Sequence, residues 1–479
     1  MISTFVIPIV FLIMIILWLW NKIDQMLVSM GGAIISAFSL IAFDMVGFTE
    51  IIGLIFGTAE NEYLNFHSLL LSLGMLFIIN SCQETGVFSY LAYKIVQTTG
   101  GSRYQLLIIL STLAFVFSGI LNNILAVLLL IPITITTCKI LRINAIPYIM
   151  TVSIIVNLGS ILFIISSVPN ILIATHNNWS FSQFFFEIGL FSFILVIISS
   201  IFLSGYFKKN LEMPDRKLLH VLRDYDPWTF VKNRKSFYQS ITVLIISLSL
   251  FIVLPIFTEI TIGFIAITGG VILLLINVKD NLSSVMRKLD FELIFYLIGV
   301  FFVVDALQFV GALDWLIIML ERITQGNIIL SSILVLWMSA GMSSLMNNAP
   351  ATKIMIPAID GLSEAFSINP NHAFRSLAYG ANLGDNMTPW GDNLVAMKIS
   401  SDYKNQVNFW KFFKIGLLAS FIQLISTNLY ILIIINPRFI LPGILILLII
   451  FVKIALFYFH KGIYKLLKKV LKRLFKKIR

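Results

Sequence analysis

An all-α polytopic membrane protein built from two inverted repeats is the fold this sequence predicts, and three observations predict it. The 479 residues are 58% hydrophobic and 12% charged, whereas soluble domains are roughly a quarter charged. Apolar runs repeatedly reach the ~20 residues a helix needs to cross a bilayer, and the mean hydropathy is +0.96. A set of polar and helix-breaking landmarks occurs twice, at a constant offset of 225 residues.

The first apolar run, residues 5–20, has no basic residue before it and no small-residue cleavage site after it, so it reads as a retained helix rather than a signal peptide. Further crossings are expected near 26–43, 66–82, 145–175, 182–206, 239–257, 260–277, 291–308, 373–398, 410–436 and 439–459. Basic residues cluster at Lys22, Lys94 to Arg103, Lys139 and Arg142, Lys208 to Lys235, Lys279 to Lys288, Lys398 to Lys404, and in the tail. The positive-inside rule places all of these in the cytoplasm. Two apolar stretches then have to leave and return on one side: 104–138 from the cytoplasm and 327–363 from outside. Each is expected to be a re-entrant hairpin, with its tip buried in protein or beside a wet cavity.

The expected organisation is a first repeat over 1–206, a cytoplasmic linker over 207–238, a second repeat over 239–436, an extra transmembrane helix over 437–459, and a tail over 460–479. Residues 461–479 hold nine Lys or Arg and no acid, so of the net +11 only +2 belongs to the rest of the chain. That excludes a nucleic-acid-binding body. In the tail, Ile463, Leu466, Leu467, Val470, Leu471, Leu474, Phe475 and Ile478 fall on one helical face, so an amphipathic helix on anionic inner-leaflet lipids is expected. Cys82 and Cys138 are too few for a disulfide framework or a zinc motif and fit apolar helix as small hydrophobes. The protein is expected to be integral and multi-pass, in the plasma membrane, with its C-terminus cytoplasmic.

The repeat rests on particular residues. Asn122-Asn123 matches Asn347-Asn348, Ala126 matches Ala351, Ile131-Pro132 matches Ile356-Pro357, and Asn157-Leu158-Gly159 matches Asn382-Leu383-Gly384. Hairpins entering from opposite sides make the repeat inverted, an arrangement that puts a binding site near the midplane.

Two constellations per half carry the chemistry. The hairpin tips hold Ser118 to Asn123 and Ser343 to Thr352. Paired amides in an apolar stretch can ligate a hard cation, hold the tip's own backbone, or join helices. The crossing after each hairpin is interrupted: first at Asn157 to Ser160 and Ser166 to Asn170, then at Gly380 to Asn393, which includes Asn386, Thr388 and Pro389. Interrupted helices expose half-helix ends that bind cations at their C-termini and anions at their N-termini. Asp385 and Asp392 are the informative acids, because Ser160 and Ser167 occupy their positions in the first half. They are expected to form a coupling-ion site, and the bland alternative is a structural pair with Lys353. Asp305, Asp314 and Glu84 lie near helix ends and read as interfacial.

At these motifs the chain resembles the arsenite permease and sodium/proton antiporter branch of the ion transporter superfamily, which includes the melanosomal P protein and is a cousin of the dicarboxylate and citrate carriers. Residues 118–134 are similar to its hairpin and Pro-Ile-Thr limb, 157–170 to its Asn-Ile-Gly stretch, 380–395 to its Asn-Leu-Gly stretch, and Glu84 to Phe88 to the turn before the hairpin. The resemblance implies a scaffold plus a transport domain, commonly in a homodimer. It also implies tip ligands at Asn122, Asn123, Asn347 and Asn348, and a lining of Asn157, Ser160, Asn382, Asp385, Thr388, Asp392 and Asn393 at the breaks; Asn170, Thr352 and Asn386, in the same stretches, are further candidates for binding the ion or substrate. Asn122 stands where that family usually carries an acid, and Ser167-Val168-Pro169 where it has Asp-Pro-Pro.

The expected function is secondary active transport of a small ion or neutral oxyacid, coupled to Na+ or H+, as in sodium/proton antiport or arsenite-type efflux. No enzyme activity, cofactor or metal is expected beyond a transported or coupling Na+ at the same residues. A sodium-coupled dicarboxylate or citrate carrier is the alternative, disfavoured because two buried carboxylates repel an anion unless neutralised. An ion channel lacks a reason for paired hairpins. An intramembrane aspartyl protease would use Asp305 and Asp385, but Asn382 replaces the first glycine of its motif and no tyrosine precedes Asp305.

Overall fold

The computed structural model describes residues 2–20, 22–44, 46–58, 63–100, 102–277, 291–403 and 405–439, and all regular structure among them is helical. The expected tail and all but the first residues of the expected last crossing lie outside the described residues.

The first repeat begins with α1 (Ser3–Trp20), α2 (Gln25–Asp44), the short α3 (Phe48–Phe56) and α4 (Leu64–Glu84). An arm helix, α5 (Val87–Val96), leads to a hairpin of α6 (Arg103–Ile120) and α7 (Asn123–Ile140). The next crossing is split into α8 (Ile146–Gly159) and α9 (Val168–His176), and α10 (Phe181–Tyr206) returns. The linker carries α11 (Leu219–Asp224). In the second repeat α12 (Arg234–Phe257), α13 (Ile262–Asn277) and α14 (Phe291–Phe309) precede an arm, α15 (Asp314–Thr324). The hairpin is α16 (Ile328–Met346) and α17 (Asn348–Phe366), the split crossing is α18 (Asn371–Gly384) and α19 (Asp392–Asp402), and α20 (Phe409–Ile435) closes the set.

Among the described residues ten helices are long and apolar enough to cross a membrane, and three of them are hairpin limbs, so length alone does not separate a re-entrant limb from a crossing. The expected crossings before residue 437 all coincide with helices or split helices. The arms α5 and α15, with 10 and 11 residues, are too short to span and fall in stretches the sequence reading leaves as loops.

The sequence offset is also an offset in three dimensions. The hairpins begin at Arg103 and Ile328, their second limbs at Asn123 and Asn348, and the split crossings cover Ile146–Gly159 and Asn371–Gly384. Each pair differs by 225. A Cβ on Gly159 would lie 2.4 Å from the Phe115 carbonyl oxygen, and one on Gly384 would lie 2.3 Å from that of Ala340, again an offset pair. Glycine at both sites lets the hairpin press its backbone onto the split helix.

Packing divides the helices into two bodies. In the outer frame α1 packs on α2, α2 on α14, α4 on α13, and α13 on α12. The exchange between halves is reciprocal: α4 grips α13 through Gly74 against Ala266 and Ile267, and α14 grips α2 through Gly299 against Ser29. In the inner body α7 packs on α19 and α17 on α9, so each hairpin's second limb meets the other repeat's split crossing. Reciprocal pairing of this kind is what a pseudo-two-fold axis between the halves produces.

Gly159→Val or Gly384→Val should therefore force the hairpin off its split helix and cost about 1–3 kcal/mol or more. Gly341→Ala, whose Cβ would meet nothing within 4 Å, is the neutral control. Thermal midpoints of the detergent-solubilised protein check this.

Candidate functional site

Where α8 ends, four backbone carbonyls lose their helical partners, and this happens deep in the protein. Asn170, at the start of α9, donates its amide back to the Ser160 and Phe163 carbonyls at 2.7 and 2.8 Å. The second break solves the problem identically: Asn393 donates to the Asp385 and Thr388 carbonyls at 2.8 and 3.2 Å. Those carbonyls are offset pairs, 160 with 385 and 163 with 388. The asparagines that reach them, 170 and 393, differ by 223.

The hairpin tips dock on the breaks in matching fashion. The Ser118 hydroxyl donates to the Val156 carbonyl and Ser343 to that of Ala381, both at 2.6 Å. Beyond this point the halves diverge. In the first, Asn123 donates to the Asn157 Oδ1 at 2.9 Å, Asn157 donates to the Asn386 Oδ1 at 2.9 Å, and Asn386 donates to the Ile154 carbonyl at 3.1 Å. The Ser160 hydroxyl donates to the Asn382 Oδ1 at 3.0 Å, and the Asn382 amide to the Asn170 Oδ1 at 2.9 Å. Ser153 donates to the Asn393 Oδ1 at 2.7 Å. These side chains are buried, and in three short chains they satisfy one another across the repeat boundary.

In the second half a carboxylate sits at the tip. Asp385 accepts from the Ser343 hydroxyl at 2.6 Å and from the Asn348 amide at 2.7 Å. Its neighbours Ser343, Asn347, Thr388 and Gly391 line a cavity of about 30 Å³, the space of one water or one small cation. The C-terminal ends of α16 and α18 converge here, and such ends present partial negative charge. A larger cavity of about 380 Å³ adjoins it and is open to the exterior of the protein; Asn347, Gly391, Asp392 and Tyr296 form its inner wall, with Lys22 and Lys398 among its other residues.

Asp392 is the first residue of α19, where the helix dipole favours a carboxylate, and α19 packs on α7, the limb that begins at Asn123 of the first tip. The acidity that is one-sided in sequence is thus two-sided in space. Tip two has Asp385 and tip one has Asp392, delivered across the repeat boundary to the place where Asn122 replaces an acid.

A family model described as citrate transporter matches residues 15–376. The chain belongs to that family. The 46 kDa membrane protein of Mycobacterium leprae is 25% identical over 77% of this chain and 86% of its own length. The human P protein is 23% identical over 74% of this chain, which spans 52% of that protein. The crystal structure of the Alcanivorax borkumensis YdaH transporter shares the fold, with a TM-score of 0.56 at 12% identity, over 80% of this chain and 86% of that one. The citrate transporter family member described here is therefore an integral, multi-pass membrane transporter, and the ion transporter superfamily is the right frame for its motifs.

The remaining expected residues divide by what they touch. Asn122 caps α7 by accepting from the Leu125 amide at 2.8 Å. Asn347 accepts from the Asn348 amide and lines both cavities. The Thr352 hydroxyl donates to the Asn348 carbonyl of its own helix at 2.8 Å and lines neither cavity. Lys353 does not pair with Asp385 or Asp392: it lies 2.9 Å from Asp305, so the structural-pair alternative for those two acids fails. Asp305, read as interfacial, is held by that ion pair and by a 2.8 Å bond from Asn65. Gln423 and Ser153 join the network without having been singled out. A lone glutamine in the apolar run 412–427 was a readable signal, whereas Ser153 had none.

Removing either break-capping amide strands two carbonyls. Asn170→Ala and Asn393→Ala should each lower stability by about 1–3 kcal/mol, while Thr352→Val should change it by less than about 1 kcal/mol. Chemical or thermal unfolding of the purified protein reads the difference.

Proposed function

We propose that this protein is a secondary active transporter that moves a small cation or neutral solute and couples it to Na+ or H+ at Asp385, with Asp392 as a second acid on the adjoining vestibule. The observation that carries the reading is the one-ion cavity at Asp385, set between two helix C-termini and beside an open vestibule. A hard monovalent cation is suited to that place: one carboxylate, hydroxyl and amide oxygens, and the negative ends of α16 and α18. A proton on Asp385 removes the charge that holds such a cation, so the two compete for one group. That competition is the simplest basis for antiport.

The inverted sense of the repeat follows from the charge pattern. Lys22 and Lys398 lie together on the open vestibule, and the positive-inside rule assigns their side to the cytoplasm. The conformation described is then inward-open. On this reading a cysteine at Lys139 should react with an impermeant thiol reagent only from the cytoplasmic face, and one at Glu364 only from outside; labelling of both from the same face rules out the inverted arrangement.

A second reading is carriage of a citrate-type anion with a cation. It is favoured by the family's description and by Lys22 and Lys398 on the vestibule, which attract carboxylates. Asp385 and Asp392 oppose it unless a bound cation neutralises them.

Proteoliposome flux separates the two. With Na+ or Li+ as the driven ion and a pH gradient as the driver, the wild-type protein should transport. Asp385→Asn should fold yet lose about tenfold or more of that flux, the scale expected when a bound charge is left without its partner. Added Na+ should shift the pH profile of the wild type and not that of the variant. Citrate uptake that needs Na+ but no pH gradient supports the second reading instead, and wild-type flux in Asp385→Asn refutes the first.

A further inference from the structure

Away from the polar seam, one ion pair ties the inner body to the frame. Lys353 of α17 lies 2.9 Å from Asp305 of α14 and donates to the Asn65 Oδ1 of α4 at 2.8 Å. The Asn65 amide donates to the other Asp305 oxygen at 2.8 Å, which closes a triangle over three helices. The Lys353 and Asp305 side chains are 16% and 19% exposed, and the Lys353 ammonium also lies 5.6 Å from the Phe301 ring centroid. Two of the three helices belong to the frame and one to the hairpin, so the triangle straddles the boundary at which the bodies meet.

Its place along the hairpin matters. Lys353 follows the tip residue Asn348 by five positions, about 7.5 Å up α17, and it lies among neither of the cavities that reach Asp385 and Asp392. The vestibule opens toward Lys22 and Lys398, whereas Lys353 sits on the limb that leads away from it. The contact is also one-sided. The residues 225 positions earlier are Leu128, which is 41% exposed, and Asn80, so the Lys353–Asp305 ion pair has no counterpart at those two positions of the first repeat. If the two repeats exchange conformations to turn the site around, an interaction present on one boundary only biases the exchange in one direction. Contacts of 2.8–2.9 Å do not survive a displacement of a few ångströms, and separation leaves two poorly hydrated charges without partners.

We propose that Lys353, Asp305 and Asn65 form a latch that keeps the site shut on the side opposite the vestibule, and that the latch must open before the site can face that side. The proposal rests on the transport reading only in taking the site to face two sides in turn. Its test needs no substrate, so it can fail while the flux experiment succeeds, and the reverse.

The experiment uses the full chain in oriented vesicles, with Cys82→Ala and Cys138→Ala to remove the buried thiols and Ser344→Cys as the reporter at the second tip. The rate of reaction with an impermeant maleimide added from outside measures the minor population open to that side. In the parent this rate should be slow. In Lys353→Met/Asp305→Leu, which deletes both charges without stranding one, it should rise about fivefold or more, the factor that loss of a modest contact gives. Exchange of the charges, Lys353→Asp/Asp305→Lys, should bring the rate back toward the parent, and Lys353→Gln should fall between. Lys353→Gln keeps a hydrogen-bond donor beside Asp305 and Asn65, so it serves as an independent second variant if the double variant does not fold. An outside rate in the double variant and in Lys353→Gln equal to that of the parent overturns the latch.

Discussion

Backbone freed inside a membrane has to be satisfied by protein, and most of the inner architecture can be read as a consequence of that constraint. Each split crossing releases carbonyls where no bulk water reaches them. One asparagine amide takes two of them at each break, Asn170 in the first and Asn393 in the second. Those amides are fixed from their other side by Asn382 and Ser153, which belong to opposite repeats. Satisfying the breaks therefore stitches the repeats together. The glycines at 159 and 384 follow from the same need, because only without a Cβ can the tip approach closely enough for Ser118 and Ser343 to reach a carbonyl.

Within this shared frame the halves have specialised. The first spends its side chains on one another, in a chain of amides from Asn123 through Asn157 to Asn386. The second keeps an acid, Asp385, beside space for a single ion. Asp392, seven residues further along the same split crossing, begins α19, which packs on α7 of the first hairpin. One interrupted segment thus brings a carboxylate to each hairpin, and any rearrangement of that segment acts on both tips together. The vestibule is lined by Asp392, and Asn347 and Gly391 line both it and the small cavity at Asp385.

Much of this was legible in the sequence because the landmarks are residues whose presence in an apolar run needs a reason: Asn122, Asn123, Asn157 and their partners, the two prolines, and Gly159 with Gly384. Their common offset marked the hairpins and the breaks before any helix was placed. What stayed hidden depends on reach through space rather than on register. The amide caps Asn170 and Asn393 slip by two positions against the repeat, since a side chain can meet the same carbonyls from either of two turns. The service of Asp392 to the opposite tip is invisible to a comparison that aligns it with Ser167. Lys353 pairs with an acid that register does not bring to it, because Asp305, in the last turns of helix Phe291–Phe309, comes near it only once α14 packs on α17. The arms α5 and α15 were missed for a simpler reason: 10 or 11 residues give too little periodicity and too little length to register as membrane helices.

The two tips also differ in backbone. Asn122 has φ −71 and ψ 162, an ordinary extended conformation, whereas Asn347 has φ +76 and ψ 161, a region that in practice admits only glycine. A side chain held there stores about 1–3 kcal/mol. The second tip is accordingly spring-loaded and the first is relaxed. A ligand whose contacts at Asp385 let Asn347 swing into a common conformation gains that stored energy as affinity, and a ligand that leaves it strained does not. Selectivity at this site can then arise from how well a guest releases the peptide backbone, over and above how well it fits the oxygens around it.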